Sequence, residues 1–355
     1  MLFFMYTFQS ANVRWGQSFS TPFSVTNGVK QGAVLSAILY CFYINDLFQL
    51  LRKKKVGCWV QGMFCGILGY ADDTLALCPS REGLQEIMTT CEEYARTHNL
   101  QFSTDKNPQK SKTKCLAFLK NDRNLKKIVL DGNDLPWWNS GKHIGNNIEN
   151  VLDGMQKDIR IKRATYIQRS CELNQEFHFA HPRTKYHLNN VYNYSFTGSP
   201  IWNLFSDSAE SLEKTYNVSV RKMFDLPRDT HRYLIEPVSQ SQHLKFTPMK
   251  RFLQFKEQVS KCPKLVVKKL FKICQFDTGS VTGSNFRKIM LMCDKTSTDK
   301  LEITDIDSLS YFEYPVNERW RTSLITELID IRSNLNTLLS RAHTGHVCPD
   351  QTLLR

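Results

Sequence analysis

Apolar positions in the first part of the chain follow two different spacings, and each spacing predicts a different element. Residues 33–51 carry apolar side chains three and four positions apart, which predicts an amphipathic helix. The basic run 52–55 would close this helix, because cations stabilise the carboxyl end of the helix dipole. Two short apolar runs, 63–68 and 74–78, flank Gly69-Tyr-Ala-Asp-Asp73, and this arrangement predicts a β-hairpin.

A second helix is predicted directly after Pro79, with Ser80 as its N-cap. Asn99 would close it in the left-handed conformation. Its expected core face consists of Leu84, Ile87, Met88, Cys91 and either Tyr94 or Ala95. Residues 115–119 predict a further strand, and residues 128–147 a small hairpin. Helices placed between strands predict an α+β fold, with an antiparallel sheet covered by helices on one face.

The second half of the chain is mainly helical and basic, with predicted helices at 155–169, 212–224 and 319–339. Four prolines mark a boundary zone after the second of these: Pro227, Pro237, Pro248 and Pro263. We therefore predict three regions, 1–150, 151–236 and 237–355.

Charge and cysteine usage limit the class of protein. The 355 residues contain 47 Lys and Arg against 34 Asp and Glu, a formal net charge of +13. This excess favours binding to phosphate backbones, although solubility or an anionic membrane surface would explain it equally well. The uncharged apolar stretches, 31–45 and 56–71, fall short of the roughly 20 residues of a membrane helix. The 11 cysteines are scattered without C-x-x-C spacing, which predicts buried, reduced thiols of an intracellular protein.

Asp72 and Asp73 are the strongest candidates for chemistry. Two adjacent carboxylates at a hairpin turn repel each other unless cations are present, and with Mg²⁺ they would form a site suited to phosphoryl transfer. An ordinary solvated turn is the alternative, and it is the better interpretation of the tetrapeptide Tyr70-Ala-Asp-Asp73 taken alone.

The sequence upstream changes that interpretation. Residues 27–36 read Asn-Gly-Val-Lys-Gln-Gly-Ala-Val-Leu-Ser, so that glycines flank Lys30 and Gln31 at a helix start. Glycines there let a nucleotide approach the backbone, while the helix amides and Lys30 face phosphate. This string resembles motif B of the reverse transcriptases of non-LTR retrotransposons, and residues 70–73 resemble their motif C.

Two further segments continue the resemblance in the family order. Residues 100–103, followed by 110–118, are similar to motif D, and residues 135–145 are similar to the motif E hairpin. Together the four motifs cover roughly residues 12–150. The basic helices of 151–236 occupy the position of the family's thumb, so the chain is expected to contain a partial right-hand polymerase palm followed by a thumb-like region.

The resemblance implies a role for individual residues. Asp72 and Asp73 would be catalytic metal ligands for Mg²⁺ (or Mn²⁺), two ions in the intact family enzyme. The residues lining the nucleotide and template pocket would be Lys30, Gln31, Gly32 and Tyr70. Lys112 would assist the departing pyrophosphate, with Lys114 as a close competitor and a solvated basic loop as the alternative.

The resemblance also implies a primer grip formed by Trp137, His143 and Gly145. Core packing is an equally good interpretation of Trp137 and Trp138 taken singly. The partners implied are an RNA template, a DNA primer or target and deoxynucleoside triphosphates, with no membrane.

The chain departs from the family at one essential position. The family's motif A aspartate precedes motif B, but residues 1–26 contain neither Asp nor Glu. We therefore expect an amino-terminally truncated enzyme that does not polymerise DNA by itself. A non-catalytic, nucleic-acid-binding remnant of a decayed element is the alternative.

Overall fold

The computed structural model describes residues 7–25, 28–30, 32–107, 109–119, 125–150, 155–193, 196–239 and 241–309. The chain divides into two compact units. Unit 1 contains Met1–Cys115 and Asn121–Trp138, and unit 2 contains Leu116–Lys120 and Asn139–Arg355. The helix predicted at 319–339 lies outside the described residues. The three-region division made from the sequence stays a prediction.

The described strands are short and form hairpins. Five antiparallel pairs lie in unit 1: β1 (Ser10–Ala11) with β4 (Phe23–Ser24), β2 (Arg14–Trp15) with β3 (Ser18–Phe19), β5 (Trp59–Val60) with β6 (Met63–Phe64), β7 (Ile67–Tyr70) with β8 (Asp73–Ala76), and β10 (Ile128–Leu130) with β11 (Asn133–Leu135). The remaining described strands are β9 (Cys115–Leu116), β12 (Trp137–Trp138), and the unit 2 pair β13 (Ser140–His143) with β14 (Asn146–Glu149).

The mixed α+β class is confirmed, but the expected continuous sheet is not found among the described residues, where every sheet has two strands. Hairpins of two to four residues per strand are too short to be stable alone, so they depend on packing against helices. The assignment of these elements to a palm and a thumb stays a prediction.

Unit 1 contains two long helices, α1 (Ser36–Lys54) and α2 (Arg81–Thr97), and they support the β7–β8 and β10–β11 hairpins. The Ser80 side chain accepts a hydrogen bond from the Gly83 amide at 3.1 Å, which confirms the predicted N-cap. Asn99 has a φ of 52°, the left-handed conformation expected after the last turn. Local sequence signals therefore set the ends of α2.

One core cluster holds α1, α2 and the β7–β8 hairpin together. Its buried members are Ile44, Leu47, Leu51, Ile67, Ile87, Cys91 and Tyr94. Burying apolar side chains stabilises the fold by roughly 1.5–3 kcal/mol for each large residue. A second cluster, centred on Ile128, Leu130 and Leu135, lies under the β10–β11 hairpin. The hairpin that carries Asp72 therefore rests on a packed helical layer.

Unit 2 is mainly helical, as predicted. Its helices are α3 (Gln156–Glu176), α4 (Pro182–Asn193), α5 (Asp207–Met223), α6 (Ile235–Ser239), α7 (Phe246–Lys261), α8 (Leu265–Phe276), α9 (Val281–Met292) and α10 (Ile303–Ser308). Pro248 was expected to mark a boundary, but it lies in the first turn of α7. Proline is tolerated there because the first amides of a helix have no intrahelical acceptor.

The cysteines of the described residues are free thiols. Burial raises the pKa of the Cys91 thiol to about 12 and that of the Cys115 thiol to about 11, so both resist ionisation. Cys41 and Cys171 are exposed, and the expectation of burial is wrong for these two. Both lie on exposed faces of long helices, and the spacing of the neighbouring apolar residues does not indicate that these two positions are exposed.

Candidate active site

The hairpin that carries the acidic pair is formed as predicted. Strands β7 and β8 pair from Ile67 with Ala76 to Tyr70 with Asp73, which leaves Ala71 and Asp72 as the two-residue turn. Ala71 has a φ of 51°, a conformation that a non-glycine residue rarely adopts. Both carboxylates are exposed, and so is the Tyr70 ring, at 65%.

Helix α1 meets this hairpin through one close packing contact and one charge interaction. A Cβ added to Gly69 would lie 2.7 Å from the Phe48 ring, so any larger residue at this position would require the ring to move. Nearer the start of the helix, burial raises the pKa of Tyr40, and the Asp72 carboxylate adds to that rise. Since Tyr40 lies two turns before Phe48, the hairpin tip points towards the amino end of α1.

The loop before α1 is tied to the first turn of the helix. The carbonyl oxygen of Lys30 accepts a hydrogen bond from the Ser36 hydroxyl at 2.5 Å and another from the Ala33 amide at 3.2 Å. Gly32 has a φ of 79°, and a Cβ there would meet nothing within 4 Å. Lys30 and Gly32 are exposed. Gln31, the third residue predicted for this pocket, lies outside the described residues.

The acidic pair fits a hard divalent cation as a partial ligand set. Carboxylate oxygens are the ligands that Mg²⁺ prefers, and both side chains reach solvent. Within the described ranges neither carboxylate forms an ion pair that would compete with a cation. The same ranges hold no group of three or more His, Cys, Asp or Glu side chains that could together hold a metal ion. Asp72 and Asp73 would therefore need further ligands from substrate, water or other protein groups.

Lys112 lies on a loop that is anchored by its neighbours. The buried hydroxyl of Ser111 donates to the carbonyl oxygens of Ser103 and Thr113, at 3.3 and 3.0 Å. Lys112 itself is exposed, whereas the Lys114 ammonium lies 4.5 Å from the centre of the Trp138 ring. The two lysines therefore differ in surroundings: Lys112 points to solvent and Lys114 is held against an indole. The role of Lys112 at the pyrophosphate stays a prediction.

The predicted primer-grip residues are divided between the units. In unit 1 the Trp137 indole donates a hydrogen bond to the Lys126 carbonyl oxygen at 3.0 Å and packs on the cluster under β10–β11. In unit 2 His143 pairs with Asn146 at the end of the β13–β14 hairpin. Gly145 lies in the turn of this hairpin and has a φ of 76°. Packing is thus an established role of Trp137, and the primer grip stays a prediction.

Tyr40 and Phe48 contribute to the site, and the apolar spacing of residues 33–51 did not predict their contribution. Neither was assigned to the core face, yet these two side chains connect α1 with the hairpin tip. Their spacing of eight residues, two turns and about 12 Å along one helix face, was the available signal.

Comparison with known proteins identifies the segment that carries this site. Residues 4–120 match the family described as reverse transcriptase (RNA-dependent DNA polymerase). This match supports the reverse transcriptase interpretation of the hairpin segment. The match covers the segments assigned to motifs B, C and D, whereas residues 135–145 lie beyond it.

A curated relative points the same way. Over 139 residues the chain is 27% identical to a Drosophila melanogaster protein named "Probable RNA-directed DNA polymerase from transposon X-element". The alignment covers 38% of this chain and 14% of the relative, so the chain spans a small part of that reverse transcriptase. No described helix combines the length and apolarity needed to cross a membrane.

Proposed function

We propose that the chain is part of the RNA-directed DNA polymerase of a non-LTR retrotransposon. The observation that carries this proposal is the pair Asp72 and Asp73, exposed at a hairpin tip directed towards the amino end of α1. The tip lies within the segment matched by the reverse transcriptase family. The transposon origin of the curated relative favours the non-LTR type.

In this proposal the chain's own residues hold and orient the substrate. Asp72 and Asp73 would hold a divalent cation, which supplies charge neutralisation at the phosphates when bound. Tyr70 precedes them at the strand end and would contact the nucleotide or template. The Lys30–Gly32 loop would approach the incoming nucleotide, with the Lys30 ammonium facing its phosphates. Lys112 would stabilise the charge of the departing pyrophosphate.

The natural ligands would be an RNA template, a DNA primer and deoxynucleoside triphosphates. The formal net charge of +13 supports this, because neutralising phosphates releases counterions and drives association. The logarithm of the affinity for a template–primer duplex is expected to fall linearly with the logarithm of the salt concentration. Salt-insensitive binding would contradict the proposal.

The decisive experiment is template-directed primer extension. The 355-residue chain alone is expected to be inactive, because residues 1–26 carry no carboxylate to complete the ligand set of Asp72 and Asp73. A longer polypeptide, reconstructed with the coding sequence upstream, is expected to extend the primer. Template-dependent synthesis by the 355 residues alone would refute the expected inactivity. Absence of synthesis by the reconstructed polypeptide would contradict the proposed polymerase function.

Substitution in the reconstructed enzyme tests the acidic pair itself. Asp72→Asn is expected to abolish synthesis, a loss of at least about 100-fold, while template–primer binding stays within a few-fold. Asp134→Asn is the matched control, because Asp134 is an exposed aspartate of another hairpin in the same unit. Unchanged synthesis by the Asp72 variant would remove the proposed role.

A second candidate function is nucleic-acid binding without catalysis. The formal net charge of +13 supports it, because binding to phosphate backbones requires no metal ligand. The two functions differ in their metal dependence. A binding remnant would hold the duplex equally well with and without Mg²⁺ and would extend no primer, whereas the reconstructed polymerase would extend a primer only with Mg²⁺.

A further inference from the structure

Three cysteines of unit 1 lie close together at the base of the β5–β6 and β7–β8 hairpins. Cys58 directly precedes β5, Cys65 lies between β6 and β7, and Cys78 follows β8. The Cys58 amide donates a hydrogen bond to the Leu77 carbonyl oxygen at 2.9 Å, which brings the ends of β5 and β8 together. All three thiols are free.

Backbone pairing places Cys58 opposite Cys65. Strands β5 and β6 pair Trp59 with Phe64, and the Cys65 amide extends this ladder by donating to the Cys58 carbonyl oxygen at 2.9 Å. A Cβ added to Gly57 would lie 2.8 Å from the backbone of the facing strand, so the two backbones stay close beyond the cysteines. Opposite residues at a hydrogen-bonded position have Cα atoms about 5.5 Å apart, within the range of about 4.4–6.8 Å that a disulfide spans.

The two thiols also share one face of the hairpin. Side chains alternate between the two faces of a strand, and the Trp59 and Phe64 rings occupy the other face with their centres 5.3 Å apart. The Cys65 sulfur lies 3.4 Å from the Cys58 carbonyl oxygen, so it is directed towards the facing cysteine. Joining the two sulfurs therefore requires rotation of side chains and no new pairing of the strands.

Cys78 is the third thiol of the cluster, but the pairing of its strand ends before it. The Leu77 amide still donates to the Gly66 carbonyl oxygen at 2.8 Å, whereas the Leu77 carbonyl oxygen accepts from the Cys58 amide. The ladder between these strands therefore ends one residue before Cys78. Cys58 and Cys65 are the pair that backbone hydrogen bonds hold opposite each other.

The two thiols differ in exposure, and this difference sets the order in which they react. Cys58 is half-buried, whereas Cys65 is only 5% exposed. Burial raises the pKa of the Cys58 thiol, and the neighbouring Cys65 and Cys78 thiols add to that rise. The thiolate is the attacking form, so Cys58 reacts slowly at neutral pH and faster as the pH rises.

We propose that Cys58 and Cys65 are a disulfide-forming pair that exchanges with small-molecule disulfides of the glutathione type. The Cys58 thiolate attacks one sulfur of the small disulfide, which forms a mixed disulfide and releases the first small thiol. The Cys65 thiolate then attacks the Cys58 sulfur and releases the second small thiol. The protein loses two protons and two electrons, and the small disulfide gains them as two thiols. The new bond closes the base of β5–β6 beside the end of β8.

Titration of the full 355-residue chain with mixtures of reduced and oxidised glutathione tests the proposal. After acid quenching and alkylation of free thiols, chymotrypsin cleaves after Trp59 and Phe64, so Cys58 and Cys65 leave in separate peptides unless a disulfide joins them. The expected product is the linked pair of peptides, with both cysteines protected from alkylation to the same extent. Its rate of formation should rise about tenfold from pH 7 to pH 8, because the thiolate fraction rises by that factor.

Serine variants separate the two steps. Cys65→Ser is expected to leave Cys58 as a mixed disulfide with glutathione, and Cys58→Ser is expected to leave Cys65 open to alkylation. Cys78→Ser should form the Cys58–Cys65 disulfide to the same extent as the wild type. Cys41→Ser is the matched control, because Cys41 is exposed on α1 and its removal should leave the pair unchanged.

The wild-type titration decides the proposal even where a variant fails to fold, which circular dichroism of the reduced variants would reveal. A disulfide that joins Cys78 to either Cys58 or Cys65 in place of the expected bond would overturn the proposal. Mixed glutathione disulfides that persist on both Cys58 and Cys65 would overturn it as well. Neither result affects the polymerase proposal, since no nucleic acid takes part in the reaction.

Discussion

Two aspartate sites in this chain present opposite surroundings. Asp158 on α3 is 0% exposed, and its carboxylate accepts hydrogen bonds from the Asn147 amide, the Asn147 side chain and the Trp202 indole, each at 3.0 Å. The Lys162 ammonium lies 3.8 Å away. Asp72 and Asp73 lie in solvent at a hairpin tip, adjacent in sequence and equal in charge.

The difference separates a structural carboxylate from a functional one. Asp158 connects strand β14, helix α3 and the segment carrying Trp202, all of which lie in unit 2. Its charge is therefore already compensated inside the protein. The acidic pair of unit 1 keeps its oxygens available, and its mutual repulsion is relieved only by a cation. Removing the structural carboxylate should therefore destabilise unit 2, and removing a functional one should leave the stability of unit 1 nearly unchanged.

The largest expected effect is that of Asp158→Asn. An amide at this position presents a donor to at least one buried N–H group, which loses its acceptor. We expect unit 2 to lose about 3 kcal/mol of stability. Urea unfolding followed by hydrogen exchange of peptides from α3 measures this loss. A change in the free energy of unfolding below about 1 kcal/mol would contradict the structural role of Asp158, because the residue would then contribute no more than a surface group.

The second effect is a pH dependence in the same unit. Burial lowers the pKa of His243 from about 6.5 to about 4, with the Lys245 and Arg232 charges acting in the same direction. Between these values the unfolded chain takes up a proton and the folded chain does not. Stability conferred by the neutral histidine is thus lost as the pH falls from about 6.5 to 4, by up to roughly 3 kcal/mol.

The carboxyl groups facing His243 act with the opposite sign. Burial raises the pKa of Glu213, whose oxygen lies 3.4 Å from the imidazole, and that of Glu236, which accepts the His243 amide at 2.6 Å. Both contribute stability that decreases as the pH rises through their raised pKa. The histidine contribution is therefore measured as the difference between the wild type and His243→Gln in urea unfolding across pH 4–7. A parallel pair of curves would refute it.

The third effect tests what positions the acidic tip. Gly69→Ala forces the Phe48 ring aside, and we expect unit 1 to lose about 1–3 kcal/mol. Adding Phe48→Leu to the same chain should recover part of the loss, because the smaller side chain vacates the space. Additive losses in this double variant would mean that the two residues are not coupled.

The smallest expected effect on stability belongs to Asp72→Asn. Removing one of two adjacent exposed charges should change the free energy of unfolding by no more than about 0.5 kcal/mol. Calorimetric titration with Mn²⁺ should nevertheless show a loss of about tenfold or more in affinity. Strong destabilisation of the variant would indicate a structural role for Asp72, like that of Asp158. Cation affinity equal to that of the wild type would contradict its role as a metal ligand.

Local chemistry explains which elements could be predicted. The Ser80 cap, the left-handed Asn99 and the turn between β7 and β8 each depend on a few neighbouring residues, and all three were found. Pro248 was misinterpreted because a proline signal alone does not distinguish a boundary from the first turn of a helix. The continuous sheet was expected because strand signals do not specify which strands will pair.

The sequence by itself determined the candidate chemistry: an acidic pair in a turn, a glycine-flanked lysine before a helix, and a basic composition. These depend on residue type and order, which the chain displays directly. Tertiary structure alone decided that the Phe48 ring packs against Gly69, that the Trp202 indole donates to Asp158, and that Lys114 lies against Trp138. Such pairs are separated by more than 20 residues, and the free energy that brings them together comes from burial of whole surfaces, which no local pattern records.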